Sequence, residues 1–168
     1  VGIFGTFTGY LANLFLAPKT SDDVVPETLV PVLDEPTISL SAIRELVALP
    51  GIDLAFVAEV VEGAPLRART LAYWIDGAPQ PAMRFGLQGT PCEGVLRDGL
   101  RCFASRVQER FPEDGFFVTH QLESYAGVVL RDPAGAAIGW LAVAGHRAME
   151  DPSMVVSALR FVAARTAL

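Results

Sequence analysis

No charged side chain occurs in residues 1–18, VGIFGTFTGYLANLFLAP, and all 13 Lys and Arg and all 19 Asp and Glu residues come later in the chain. A run of this length is near the lower limit for spanning a bilayer, since about 20 residues at ~1.5 Å rise cover a hydrocarbon core ~30 Å thick. Such a chain divides into an element suited to lipid and a remainder that must fold in water. Within the run, Gly2, Thr6, Gly9 and Asn13 recur at helical steps with Gly5 beside them, and bulky residues fill most of the other positions. Gly5 and Gly9 form a GxxxG, which lets helix backbones approach closely in lipid. In water each Gly would cost roughly 1 kcal/mol relative to Ala, whereas in lipid a broken helix would strand backbone polar groups. No basic segment precedes the run and no small-x-small cleavage pattern follows it. The reading is a membrane helix over residues 1–17 that begins upstream of Val1, with a buried helix of a water-soluble fold as the alternative. Lys19 marks a cytoplasmic flank. Residues 18–37 follow as a connector with four prolines and no period, which ends the helix near Ala17.

The remaining residues, 38–168, read as one water-soluble domain. Residues 39–49 carry apolar side chains at helical spacing and stop at Pro50-Gly51. Strands are expected over 53–61, 66–75 and 82–87. Thr90-Pro91-Cys92-Glu93 is the pattern of a capping box with proline at the first helical position, so a short helix should run from Pro91 to about Arg97 and close at Gly99. A strand over 100–104 and a short helix over 114–122 come next. Strands 125–130 and 136–144 flank Asp132-Pro133-Ala134-Gly135, a turn with proline second and glycine fourth, and so make a hairpin. Asp151-Pro152 caps a final helix whose apolar face is Val155, Ala158, Leu159 and Val162, with Arg165 extending it. The fold class is α+β: an antiparallel sheet, terminal helices on one face and a loop and short-helix layer on the other.

Two resemblances attach to these motifs. The run GIFGTFTGYLANLFLAP resembles the cytoplasmic half of the pore-lining inner helix of potassium channels, which implies helix packing or pore lining by Gly2, Gly5, Thr6, Gly9 and Asn13. The stretches IDLAFVAEVV, GTPCEGVL, ESYAGVVLRDPAGAAIGWLAV and DPSMVVSALRFVAARTA resemble a GAF domain, a small-molecule sensor module of bacterial signalling proteins. That likeness implies dimerisation through the terminal helices, with Ile43, Leu46, Leu159 and Val162 at the contact. It also implies a ligand pocket, for which the candidate residues are Tyr73, Phe85, Cys92, Phe103, Arg106, His120 and Tyr125.

The chemistry of these candidates leaves alternatives open. Cys92 at a helix start is either an activated thiol or a small buried hydrophobe. His120 is either a haem ligand or a helix-surface residue. Arg106 and Arg110 either clamp an anion or form a charged helix face. His146 belongs to a solvent loop. The two cysteines, Cys92 and Cys102, form no CxxC, and with two histidines elsewhere they make no metal-ligand spacing. A net charge of −6 argues against nucleic acid as a partner. No cofactor is named by these residues. The expectation is a non-enzymatic regulatory domain fused to the pore helix of an ion channel in the inner membrane, with the domain cytoplasmic. It would form a tetramer as a channel, or a dimer as an isolated domain. The alternatives are a membrane-tethered sensor of a histidine kinase and a thiol-dependent enzyme.

Overall fold

The computed structural model describes residues 40–61 and 66–166. Helix α1 (Leu40–Val47) leads into β1 (Leu54–Val61), β2 (Arg67–Ile75), β3 (Ala78–Pro79) and β4 (Arg84–Gly86). Then come α2 (Pro91–Asp98), β5 (Leu100–Phe103), α3 (Val107–Arg110) and α4 (Gly115–Thr119). The hairpin β6 (Ser124–Arg131) and β7 (Ala137–Gly145) and the helix α5 (Pro152–Thr166) complete the order. The strands form one antiparallel sheet in the order β3-β2-β1-β7-β6-β5, with β4 sharing the outer edge of β2.

Side chains alternate across this sheet, and both faces are covered. Ala55 and Val57 of β1 and Leu141 and Val143 of β7 face α1 and α5, where they meet Ile43, Leu46, Val155, Leu159, Val162 and Ala163. Leu54, Phe56 and Ala58 of β1 and Trp140, Ala142 and Ala144 of β7 face the other way, toward Cys92, Val95, Val107 and Phe117 of the short helices. This is the expected arrangement of a sheet covered on both faces. It explains why β1 and β7 are buried almost end to end although an alternating strand normally leaves one face wet.

Local chemistry sets the boundaries. Asp151 accepts a hydrogen bond at Oδ1 from the Met154 backbone N (2.9 Å) and so starts α5. The β6–β7 turn closes through Gly135 N donating to Asp132 O (2.9 Å), with Ala136 N donating to the Asp132 side chain (2.8 Å). Gly139 of β7 has a packing reason, because a Cβ there would lie 2.1 Å from the Ala58 carbonyl oxygen. One bulge matters for function. Val57 faces Ala72 but Ala58 faces Thr70, so Leu71 is an extra residue in β2. Leu71 and Ala72 then both enter the helix-side core, and Thr70 and Tyr73, three apart in sequence, share the opposite face.

Several expectations change. Ile43, Leu46, Leu159 and Val162 are 0%, 1%, 0% and 5% exposed, so they fasten the terminal helices to the sheet and are not a dimer contact. Ala163, not Arg165, continues the buried face of α5, and the Arg165 guanidinium lies over the exposed Phe161 ring. At α2 the capping box does not form. Thr90 Oγ1 donates back to Leu87 O (2.8 Å), and Glu93 accepts from Gly89 N (3.3 Å) rather than from Thr90. The helix expected over 114–122 is one turn, and SRVQERF supplies a second short turn, α3. The membrane helix of residues 1–17, with Gly2, Gly5, Thr6, Gly9 and Asn13, and the linker of residues 18–37 lie outside the described residues. Among the described residues no helix is long and apolar enough to cross a membrane.

Candidate functional site

The short-helix layer does not close completely over the sheet. Between them lies a small cavity of about 90 Å³ that opens to solvent. Strand β1 contributes Leu54 and Phe56, and the bulged β2 contributes Thr70 and Tyr73. Met83, Phe85 and Gly86 come from β4 and the residues before it, Thr90 and Cys92 from the start of α2, and Asp114, Phe116 and Phe117 from the start of α4. Met83 is tied to β2 by its backbone N donating to Thr70 Oγ1 (2.7 Å) and by Thr70 N donating to Met83 O (2.8 Å).

Aromatic rings dominate the wall. Phe56, Phe85 and Trp140 stand mutually near perpendicular, with centroids 6.1–6.4 Å apart and interplanar angles of 84–88°. Tyr73 meets Phe116 at 6.1 Å and 63°, and Phe117 meets Tyr125 at 5.6 Å. Edge-to-face packing of this kind is favourable and stiff, so the rings hold the space open rather than collapsing into it. Glycine at 127 belongs to this design, because a Cβ there would meet the Tyr125 hydroxyl at 2.7 Å and Val95 at 2.8 Å.

Polar groups are few and fixed. Beneath the rings the buried Tyr125 hydroxyl donates to Cys92 Sγ (3.3 Å). Burial pushes the Cys92 thiol up to about 12, with the Tyr125 hydrogen bond opposing the rise. Tyr125 is itself held well above its usual value, first by burial. A thiol so held is protonated at neutral pH and is a poor nucleophile. Of the two readings of Cys92, the geometry favours the small buried hydrophobe. Among the described residues the buried Trp140 indole N–H finds no acceptor at hydrogen-bond distance and angle, although it lies close enough to lower the pKa of both Cys92 and Tyr125. Asp114 caps α4, its Oδ1 accepting from Phe116 N (3.2 Å) and Phe117 N (3.3 Å). Burial raises its pKa against the pull of those two amides.

The sequence-derived candidates thus separate. Tyr73, Phe85 and Cys92 line the pocket and Tyr125 lies under it. His120 follows α4 and stacks on Phe116 at 4.4 Å, outside the lining. Phe103 packs on Phe111 at 5.3 Å with the Arg110 guanidinium over its ring. Arg106 and Arg110 share a separate depression with Ser105 and Glu109, away from the ring-lined pocket, and there Arg106 is exposed and bridged to Glu109. Phe56, Thr70, Met83, Asp114 and Phe116 are lining residues that pattern reasoning did not select. The FPEDGFF segment carried the only visible signal, an aspartate capping position beside two aromatic residues.

A third cluster lies at one end of the sheet. Asp53, Asp76 and His146 place their ligating atoms within 4.8 Å of one another. His146 Nε2 is 2.9 Å from Asp76 Oδ1, and the His146 backbone N donates to Asp53 Oδ2 (2.8 Å). The Asp76 hydrogen bond raises the histidine pKa. His146 sits in the expected solvent loop, but paired.

No protein-family model and no curated protein sequence matches the chain. Solved structures do. The chromophore-binding domain of a Stigmatella aurantiaca phytochrome superposes with a TM-score of 0.56 at 15% identity over 76% of this chain, which spans about half (52%) of that domain. The phycocyanobilin-bound GAF domain of a cyanobacterial phytochrome superposes with a TM-score of 0.56 at 11% identity, covering 74% of this chain and 78% of that one. A GAF sensor protein from Burkholderia vietnamiensis gives 0.50 at 14% identity, covering 98% and 85%. These likenesses establish the GAF fold.

Proposed function

We propose that the domain is a regulatory sensor that holds a compact, largely apolar small molecule without a covalent bond in the pocket between the sheet and α4. The observation that carries this reading is the ring-walled space itself. Aromatic side chains border an opening beside the sheet, and the structural neighbours include a chromophore-bound GAF domain. A ligand that binds this form alone stabilises it by mass action, and any differential affinity for two forms becomes a signal.

A linear tetrapyrrole of the kind held by the cyanobacterial relative does not fit the residues present. Among the described residues the lining includes no Lys, Arg or His to meet its carboxylates. Cys92, the lining thiol among the described residues, is held protonated by burial and accepts the Tyr125 hydroxyl. The same protonated thiol supports a role without enzymatic chemistry.

The wider reading adds an output. The glycine-bearing stripe of residues 1–17 supports attachment to a membrane helix, with the domain on the cytoplasmic side biasing the gate of a tetrameric channel. A membrane-tethered dimeric kinase sensor is the alternative output. Recordings of the channel-length protein with and without residues 38–168 separate the two, since the channel form requires a change in open probability.

The two tryptophans supply the test of the pocket, because Trp140 packs on Phe56 and Phe85 while Trp74 packs against the helix-side core. In a Trp74→Phe chain, emission comes from Trp140 alone. A small apolar compound that raises Tm should also shift or quench that emission. Compounds that raise Tm while leaving Trp140 unchanged, or a broad screen in which neither moves, would overturn the reading.

A further inference from the structure

We propose that the pocket selects an organic cation, an amine or quaternary ammonium on a small apolar body, with the Asp114 carboxylate as its counter-charge and the surrounding rings as its wall. This deepens the sensor reading above and rests on it.

Among the described residues that line the pocket, Asp114 is the only acid; the rest are apolar, aromatic, hydroxyl, thiol or glycine. No basic side chain opposes it there, so the field inside the pocket has one sign. A ligand carboxylate or phosphate would be desolvated against a like charge, whereas a cation would find its partner already in place.

Both backbone amides of the cap, Phe116 N and Phe117 N, donate to Oδ1, and Oδ2 takes no part in that cap. The carboxylate is therefore oriented by the chain and keeps an oxygen for another donor. Burial opposes its charge, and the two amides offset only part of that cost. A cationic ligand would offset the remainder.

An ammonium group within ~6 Å of a ring face is attracted by the ring quadrupole, most strongly where water is excluded. Phe56 and Phe85 stand at 88° to each other and Tyr73 and Phe116 at 63°, so ring faces are presented in several directions around the space. A single carboxylate with several rings is an arrangement suited to alkylammonium rather than to a strongly hydrated metal ion, which would need more oxygen ligands than the pocket offers.

The test uses three molecules of one shape and different charge: choline, its neutral carbon analogue 3,3-dimethylbutan-1-ol, and the anion 3,3-dimethylbutanoate. Titration calorimetry of the full chain should show choline binding roughly tenfold or more tightly than the alcohol, with the anion weakest. Asp114→Asn keeps a capping oxygen, so the fold survives, as an unchanged Tm would verify, and the preference for choline should fall to near parity. Phe116→Leu should weaken choline more than the alcohol. Equal binding of alcohol and choline overturns the charge preference but leaves a ligand pocket standing. A preference that persists in Asp114→Asn also overturns it. Failure of all three probes overturns it as well, and the sensor reading then stands or falls separately on the Trp140 screen.

Discussion

The two faces of one sheet are covered by different materials, and the proposed function rests on the difference. On one side α5, fifteen residues long, lays a continuous aliphatic stripe of Val155, Leu159 and Val162 over β6 and β7, with α1 beside it. A long helix offers a side chain to the sheet at nearly every turn, and branched aliphatic chains interdigitate to high density. On the other side three helices of eight, four and five residues each place only one to three buried side chains on the sheet. What fills the gaps there is aromatic: Phe56, Phe85, Trp140, Phe117 and Tyr125. Rings at right angles cannot slide together as methyl groups do, so the short-helix face retains a cavity while the long-helix face is packed. The proposed recognition belongs to the short-helix side, and the aliphatic side packs without it.

The sharpest way to break this picture is at Gly139, which belongs to both faces because it sits in the central pair β1–β7. Gly139→Ala would press a methyl group into the Ala58 carbonyl, where backbone and not a flexible side chain must yield. A loss of about 3 kcal/mol or more is expected in chemical denaturation, together with loss of any ligand response. A near-neutral result would mean that the two strands can part without harm.

Truncations on the two faces should then diverge. Leu159→Ala, wholly buried in the aliphatic core, should cost about 2–5 kcal/mol and leave ligand affinity intact. Phe85→Ala borders space that is already open and removes a half-buried ring, so about 1–2 kcal/mol is expected, with most of the ligand affinity lost. Equal stability losses, or a ligand defect in Leu159→Ala, would dissolve the division of labour.

The smallest effect belongs to the sheet end, outside both cores. The His146 pKa is raised by Asp76, so its contribution is complete below the ordinary histidine value near 6.5 and fades as pH climbs through the raised folded value. The pair is exposed, which limits it to about 1 kcal/mol or less. The Tm difference between the natural chain and His146→Gln should be largest near pH 5.5 and disappear in the alkaline range. A constant difference across that range would assign the histidine a packing role instead.

Much of this architecture was readable from residue patterns. Gly99 closing α2, Asp151 starting α5 and the Asp132–Gly135 turn are local signals, each satisfied by neighbours a few positions away, while the apolar runs of β1 and β7 announce buried strands without naming their distant partners. The Thr90–Glu93 capping box was misleading for a related reason. The pattern was present, but the Thr90 hydroxyl found the Leu87 carbonyl, a competitor that its own loop supplied. The candidate site was legible only in part. Tyr73, Phe85 and Cys92 drew notice as aromatic or thiol side chains in the right stretches, whereas Phe103 and Arg106 looked equally plausible and face elsewhere.

The order of elements, the layer each helix would cover and the turns between strands were determined by the chain itself, because hydrophobic period and capping act over one or two turns of backbone. Which side chains meet was decided in three dimensions. The extra residue Leu71 shifts the register of β2 and brings Thr70 and Tyr73 onto one face, where alternation alone would have set them on opposite sides. Asp114 reaches the same space from α4, forty residues later in the chain. No short-range rule contains that encounter, since it depends on how two covered faces of a twisted sheet share the available volume.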